Sequence, residues 1–327
     1  MAKHIVDNLW QLDIPLEGNP LKNLNAYLIK GEKSLLIDTG FCWESCRTAM
    51  HRELEAVGVD QDKMDIFLTH MHSDHSGLAP ELIRPGNDIF ISSIDAPRIV
   101  SADDTDHWRR WYVSFLKEGF SEGEIGQFYG RTPSQGGAAR KVAKFHLIQD
   151  GHTFHYGGHT LRCILTPGHT PGHMCLYEEE NQWLFSGDHV LFHISPNICR
   201  WSGIKDSLGD YLDSLRKLRE LPVKLLLPAH REETGELLPR VDELLFHHQR
   251  RLDNTLQVIG QEPGMNSYEI AGRMRWKIRS KSWEDFPLNQ KIFAVGETLA
   301  HLDYLEERGL LRHEEKDGVN IYFLKEE

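Results

Sequence analysis

The stretch Leu68-Thr69-His70-Met71-His72-Ser73-Asp74-His75 closes the apolar run Ile66-Phe67-Leu68 with three histidines and an aspartate inside six residues. The pattern recurs. His169 follows Cys163-Ile164-Leu165-Thr166, Asp188 follows Trp183-Leu184-Phe185-Ser186-Gly187, and His230 follows Leu225-Leu226-Leu227-Pro228-Ala229. Four segments that read as buried strands therefore end in side chains that bind divalent metals. Strand ends converge in space, so donors far apart in sequence can meet. Side chains two apart in an extended stretch point the same way, which lets His70 and His72 hold one metal. Asp74 and His75 lie past the turn and can face a second. Imidazole with some carboxylate suits zinc, and also iron or manganese. Two divalent ions bring four positive charges; Asp74 and Asp188 remove two, and a bridging hydroxide one. The remaining charge can polarise a carbonyl or phosphoryl oxygen. Asp74 and Asp188 are thus candidate catalytic carboxylates as well as ligands.

The rest of the chain supplies a scaffold. Residues 24–40 read as a hairpin about Gly31-Glu32-Lys33, followed by a helix over 43–57 that stops at Gly58. Residues 98–145 lack strand alternation and read as a helical insertion. Leu208, Tyr211, Leu212, Leu215 and Leu218 fall on one helix face. A long helix begins near 239. Asn266 and Glu269 have capping-box spacing. A further helix and a hairpin turning at Lys316-Asp317-Gly318 complete a winged-helix-like pattern. With 327 residues, one large and one small domain are expected. We place them at 1–239, including the insertion at about 98–145, and 240–327.

Thr69–His75 resembles the HxHxDH signature of the metallo-β-lactamase superfamily. Leu36-Ile37-Asp38-Thr39-Gly40 and Thr166–His173 are similar to segments of its glyoxalase II-like members. The resemblance spans about residues 5–235. It implies an α/β (α+β) fold, an αββα sandwich with the metal site at one edge of the two sheets. The C-terminal region resembles the appendage of the β-lactamase-like protein 2 subgroup. Carried over, His70, His72 and His169 hold one metal, Asp74, His75 and His230 hold the second, and Asp188 bridges them. The family often has glycine on both sides of the last histidine, where this chain has Ala229 and Arg231. Of the two histidines in Thr166–His173, His169 is preferred as ligand because Pro171-Gly172 turns the chain before His173. Asp38 is either a turn residue or the hydrogen-bond partner of a ligand imidazole.

Charge narrows the function. The chain has 37 basic and 49 acidic side chains, a net of −12. Nucleic acid recognition needs the opposite sign. Residues 240–327 hold 13 basic and 16 acidic residues, a net of −3, so no DNA partner is expected. The one basic run, 273–281, is a candidate clamp for a phosphate-bearing substrate. Trp108, Trp111, Tyr112 and Phe115 form an apolar stripe that either packs on the body or lines an acyl pocket. Ser195, Asn197 and Arg200 are candidate substrate contacts. His146, His152, His155 and His159 are expected outside any metal site. With no apolar span, no leader-like N-terminus and five cysteines in no dense framework, a reducing cytoplasm and no membrane partner are expected. The expected activity is a metallo-hydrolase with two divalent ions, zinc foremost, acting on a small acyl ester or thioester. Alternatives are cleavage of single-stranded RNA, lactone hydrolysis, or a regulatory protein with weak activity. A homodimer is compatible with the chain.

Overall fold

The computed structural model describes residues 2–100, 105–129, 144–232, 235–276 and 280–325. The strands of the first sheet are β1 (Lys3–Val6), β2 (Leu9–Pro15), β3 (Asn23–Ile29), β4 (Ser34–Ile37), β5 (Met64–Phe67), β6 (Ile89–Ser92) and β7 (His146–Ile148), side by side in that order. The second sheet runs β12-β11-β10-β9-β8, from β8 (Thr153–Tyr156), β9 (His159–Leu165), β10 (Met174–Glu178), β11 (Trp183–Gly187) and β12 (Leu225–Pro228). β13 (Leu311–Lys316) and β14 (Val319–Leu324) form a separate hairpin. The helices are α1 (Glu44–Val57), α2 (Ser73–Ser76), α3 (Ala79–Leu82), α4 (Ala96–Val100), α5 (Thr105–Lys117), α6 (Glu122–Tyr129), α7 (Ser207–Arg219), α8 (Leu237–Gln261), α9 (Ser267–Arg273) and α10 (Leu288–Glu307). None of them, among the described residues, is long and apolar enough to cross a membrane.

The chain divides into two compact units. The first comprises Met1–Asp103, Pro133–Pro196 and Ser214–Val241; the second comprises Asp104–Thr132, Asn197–Asp213 and Asp242–Glu327.

The first unit holds both sheets. β1 to β4 pair antiparallel, and β4 to β7 pair parallel. In the second sheet only β11 and β12 are parallel. Alternation along β3 and β4 splits the core. Tyr27, Ile29, Leu35 and Ile37 face the other sheet, packing with Phe154, Leu161, Leu176 and Phe185. Ala26, Leu28 and Leu36 face Cys46, Met50 and Leu54 of α1 instead. With both faces covered, β4 and β5 are buried along their whole length, which is why they read as unbroken apolar runs. α1 stops where Gly58 takes a left-handed φ of 69° and its N–H returns to Glu55 and Leu54, as a C-terminal cap requires.

The second unit joins three stretches of chain. Glu118, just past α5, is buried. Its carboxylate accepts from Arg200 Nη1 (2.9 Å), Asn320 Nδ2 (3.0 Å) and Tyr322 Oη (3.0 Å), and its carbonyl from Ser267 Oγ and Tyr268 N (both 3.1 Å). Arg200 also donates to both oxygens of Asp303. Of the insertion expected at about 98–145 inside a 1–239 domain, residues 105–129 group with the C-terminal residues. The reason is side-chain chemistry across long sequence separations, which periodicity does not report. Asn266 and Glu269 form the expected capping box. α9, α10 and the β13–β14 hairpin follow in the order of a winged helix. Asp317 and Gly318 carry φ of 52° and 80°, the conformation a two-residue hairpin turn favours. Eleven residues of α10 are buried, among them Ile292, Val295, Leu299 and Leu302.

Candidate metal centre

All seven predicted ligands lie in the first unit: His70 and His72 on the loop after β5, Asp74 and His75 in α2, and His169, Asp188 and His230 on the loops after β9, β11 and β12. Three groups of donors converge, each with its ligand atoms within 4.8 Å of one another: His70, His72 and His169; His70, His75 and Asp188; and Asp74, His75 and His230.

In the first trio, His70 Nε2 and His169 Nε2 each lie 2.9 Å from His72 Nδ1. The far side of His70 is engaged, with Nδ1 3.0 Å from Thr69 Oγ1. Thr69 Oγ1 donates to Asp38 Oδ2 (2.8 Å), so it accepts from His70 Nδ1–H and leaves a lone pair on Nε2. Burial, then the neighbouring imidazole of His75, holds His70 well below the usual histidine range. Burial, then His169, brings His72 down to about 3. Neutral imidazole is the form that binds a metal.

The second trio is richer in carboxylate. His230 Nε2 lies 3.4 Å from Asp74 Oδ2, and His75 Nε2 lies 3.9 Å from it. Asp188 stands between the trios. Its Oδ2 is 3.4 Å from His169 Nε2, while its Oδ1 is 3.4 Å from His230 Nε2 and 3.6 Å from His75 Nε2. Burial opposes ionisation of Asp188, but His230 and His75 overcome it and hold the group well below the usual carboxylate range. His75 Nε2, His230 Nε2 and Asp188 Oδ1 are buried and make no hydrogen bond. Such orphaned atoms cost free energy unless something satisfies them. Their convergence on one point, and their chemistry, fits a divalent cation.

The supporting contacts fix ring orientation. Asp38 Oδ2 accepts from His75 Nδ1 (2.7 Å), and Asn23 O accepts from His230 Nδ1 (2.7 Å). Both Nε2 atoms are thereby presented inward. Of the two readings of Asp38, the hydrogen-bond partner is therefore the one observed; it also takes a left-handed φ of 61°. His173 packs beside His70 but belongs to none of the three donor groups. Its Nε2 accepts from Asp188 N (3.2 Å), so its Nδ1–H donates to Thr166 Oγ1 (2.8 Å). A Cβ on Gly187 would lie 2.5 Å from His173 Nε2, so glycine is what allows this approach. Arg231 follows His230 with φ 66°, a conformation easy for the glycine often found there. Its guanidinium donates to Pro20 O.

Other candidates go elsewhere. Arg200 is engaged by Glu118 and Asp303 in the second unit. The aromatic stripe packs within that unit: Trp111 against Phe115 (4.3 Å between ring centres), Phe115 against Phe120 (5.3 Å), and Phe120 against Tyr268 (4.8 Å). The side chain of Trp108 lies outside the described residues, as do residues 277–279 of the basic run. In that run, Arg273 pairs with Glu262 at 2.6 Å. His146 lies beside Asp88, His155 beside Thr160 and His159 beside Asn8; none joins the trios. Sequence reading missed Asp95, a fully buried carboxylate three residues past β6 that contacts both histidine-bearing loops. The rule that found the ligands, an acid just after a buried strand, applies to it equally.

Comparison with known proteins places the chain among relatives. Residues 20–230 match the family described as "Metallo-beta-lactamase superfamily", and residues 284–325 match "Metallo-beta-lactamase-like, C-terminal domain". The chain is 31% identical over 249 residues to the lactamase-like protein adaB of Aspergillus niger, an alignment covering 75% of this chain and 62% of that protein. The chain thus spans about three fifths of the length of this relative. It is 27% identical over 242 residues to an atrochrysone carboxyl ACP thioesterase of Aspergillus fumigatus, covering 74% of this chain and 45% of the relative. It is 26% identical over 267 residues to a beta-lactamase-like protein 2 homolog of Caenorhabditis elegans (79% and 74% covered). Among solved structures, a metallo-beta-lactamase family protein of Thermus thermophilus superposes with a TM-score of 0.83 at 27% identity, covering 98% of this chain and all of the other.

Proposed function

The chain belongs to the metallo-β-lactamase superfamily, and from that membership we propose that it is a metal-dependent hydrolase of carbonyl esters, with thioesters as its substrate class. The observation that carries the reading is Asp188, whose two oxygens face different histidine groups. In this reading His70, His72 and His169 hold one divalent ion and Asp74, His75 and His230 hold a second. Asp188, between the two donor groups, would complete the set, and zinc is the ion it suits best. When bound, two such ions supply Lewis acidity for a carbonyl oxygen and bring the pKa of water towards neutrality.

The protein's own groups then do the following. Asp38 and Asn23 O accept from the outer nitrogens of His75 and His230, so Nε2 of each ring is the atom turned inward. His173 holds the backbone of Asp188 in place. In this reading Asp74, buried beside His230, orients the attacking water. No serine or cysteine nucleophile is needed.

A thioester is favoured over RNA on three grounds. A relative carries the name of a thioesterase. The chain is acidic, whereas a polyanion needs a path of cations. The basic run has Arg273 already paired. Duplex DNA is disfavoured because α10, the helix that would enter a groove, carries Glu297, Asp303, Glu306 and Glu307. The test compares kcat/KM on acyl-thioesters, lactones, β-lactams and single-stranded RNA, with Asp188→Asn as the control for contaminating enzymes. Thioester turnover lost in that variant is expected. Efficient RNA cleavage abolished by the same substitution, with thioesters untouched, would replace this reading with the nuclease.

A further inference from the structure

We infer that Asp95 is a positioning residue for the first histidine trio, holding together the two loops that carry it; this rests on the metal-centre reading above. Asp95 has no exposed surface. Its Oδ2 accepts from Met71 N (3.1 Å) and Thr170 Oγ1 (2.6 Å), and its Oδ1 accepts from Gly172 N (2.7 Å). Met71 lies between His70 and His72, and Thr170 follows His169. One carboxylate therefore spans two segments about a hundred residues apart in sequence, each bearing ligands of the same trio.

Two features separate this from ordinary structural use of an aspartate. Asp95 immediately precedes α4, where an aspartate side chain commonly caps the helix. Here the carbonyl of Asp95, not its carboxylate, receives the N–H of Arg98. The carboxylate turns to the loops. The approach is also close. A Cβ on Gly172 would lie 2.6 Å from Ser92 Oγ and 2.7 Å from both the backbone N and Oδ1 of Asp95. Glycine is thus what allows the second loop to reach the carboxylate. A buried anion is retained at a cost unless its hydrogen bonds are complete, and the bonds that complete this one all fix ligand-bearing loops. Asp95 belongs to none of the donor groups itself. Its role is to set where His70, His72 and His169 point.

The experiment titrates zinc into the metal-free full chain against a competing chromophoric chelator and resolves the stepwise affinities. Wild type, Asp95→Asn, Asp95→Ala and Thr170→Val are compared. Asp65→Asn serves as control: it alters another buried carboxylate, one that bonds Asp88 N and Tyr156 away from the trios. His169→Ala identifies the step that belongs to the first trio. Asp95→Ala should weaken that step by about 10–100-fold and leave the other unchanged. Asp95→Asn, which keeps an acceptor for Gly172 N, should fall between Ala and wild type. Thr170→Val, which removes one donor, should show a smaller loss of the same sign and decides the question if the Asp95 variants do not fold. Wild type that binds no zinc would refute the metal centre itself. Wild type that binds zinc, with Asp95 and Thr170 variants binding equally well, overturns the role of Asp95. An equal loss in both steps, or the same loss in Asp65→Asn, shows general destabilisation and overturns it too.

Discussion

At the scale of the residue, the centre is a set of imidazoles whose outer nitrogens are already assigned. His75 leans on Asp38, His230 on Asn23 O and His70 on Thr69. Two predictions belong here. His169→Ala should lose metal, because it removes a donor from the first trio. His173→Ala should keep the full complement, because its ring bonds only Thr166 and the backbone of Asp188. Elemental analysis of both variants after equilibration with buffered zinc reads this, and equal losses would show that both histidines bind. Asp38→Asn should weaken metal binding by about 10–100-fold without removing any ligand. The affinity of that variant, measured against a competing chelator, is the check. The candidate ligands were legible because they follow four apolar strands, a purely local pattern. Asp95 obeyed the same pattern but lies outside the motif that drew attention, and two of the three donors it meets are backbone groups, which leave no trace in sequence.

At the scale of the element, strands and helices followed from alternation and capping wherever burial was one-sided or complete. β7 and β8 are short and carry His146 and His155. The insertion was legible as helix but not as a partner. Glu118 bonds Arg200 at a separation of 82 residues and Tyr322 at 204, and no periodicity connects them. Glu118→Gln keeps the shape but removes the charge that faces Arg200. It should destabilise the second unit by about 1–3 kcal/mol, read as an earlier urea transition. Zinc affinity should not change, since Glu118 lies outside the first unit. A loss of zinc binding would show that the two units are energetically coupled.

At the scale of the whole molecule, metal binding and folding are linked. Ligands converge on the first unit only in the folded state, so zinc at about 100 times its dissociation constant should stabilise it by about 2.7 kcal/mol. Chelation should lower the temperature of unfolding in a calorimeter, and an unchanged transition would count against a native metal site. Stopping the chain after residue 240 leaves 105–129 without Tyr268, Asn320 and Tyr322, so the shortened protein should bind more of a dye that reports exposed apolar surface. The discontinuous second unit also has a consequence in time. Ribosomes add about 5–20 residues per second, so α5 emerges roughly 10–40 s before Tyr322 is made to meet Glu118. Through that interval the nascent chain carries two helices whose final neighbours do not yet exist. A chaperone that shields apolar helices during synthesis has its natural client here, and pulse-labelled chains should show protease-resistant residues 105–129 only after synthesis has passed the β13–β14 hairpin.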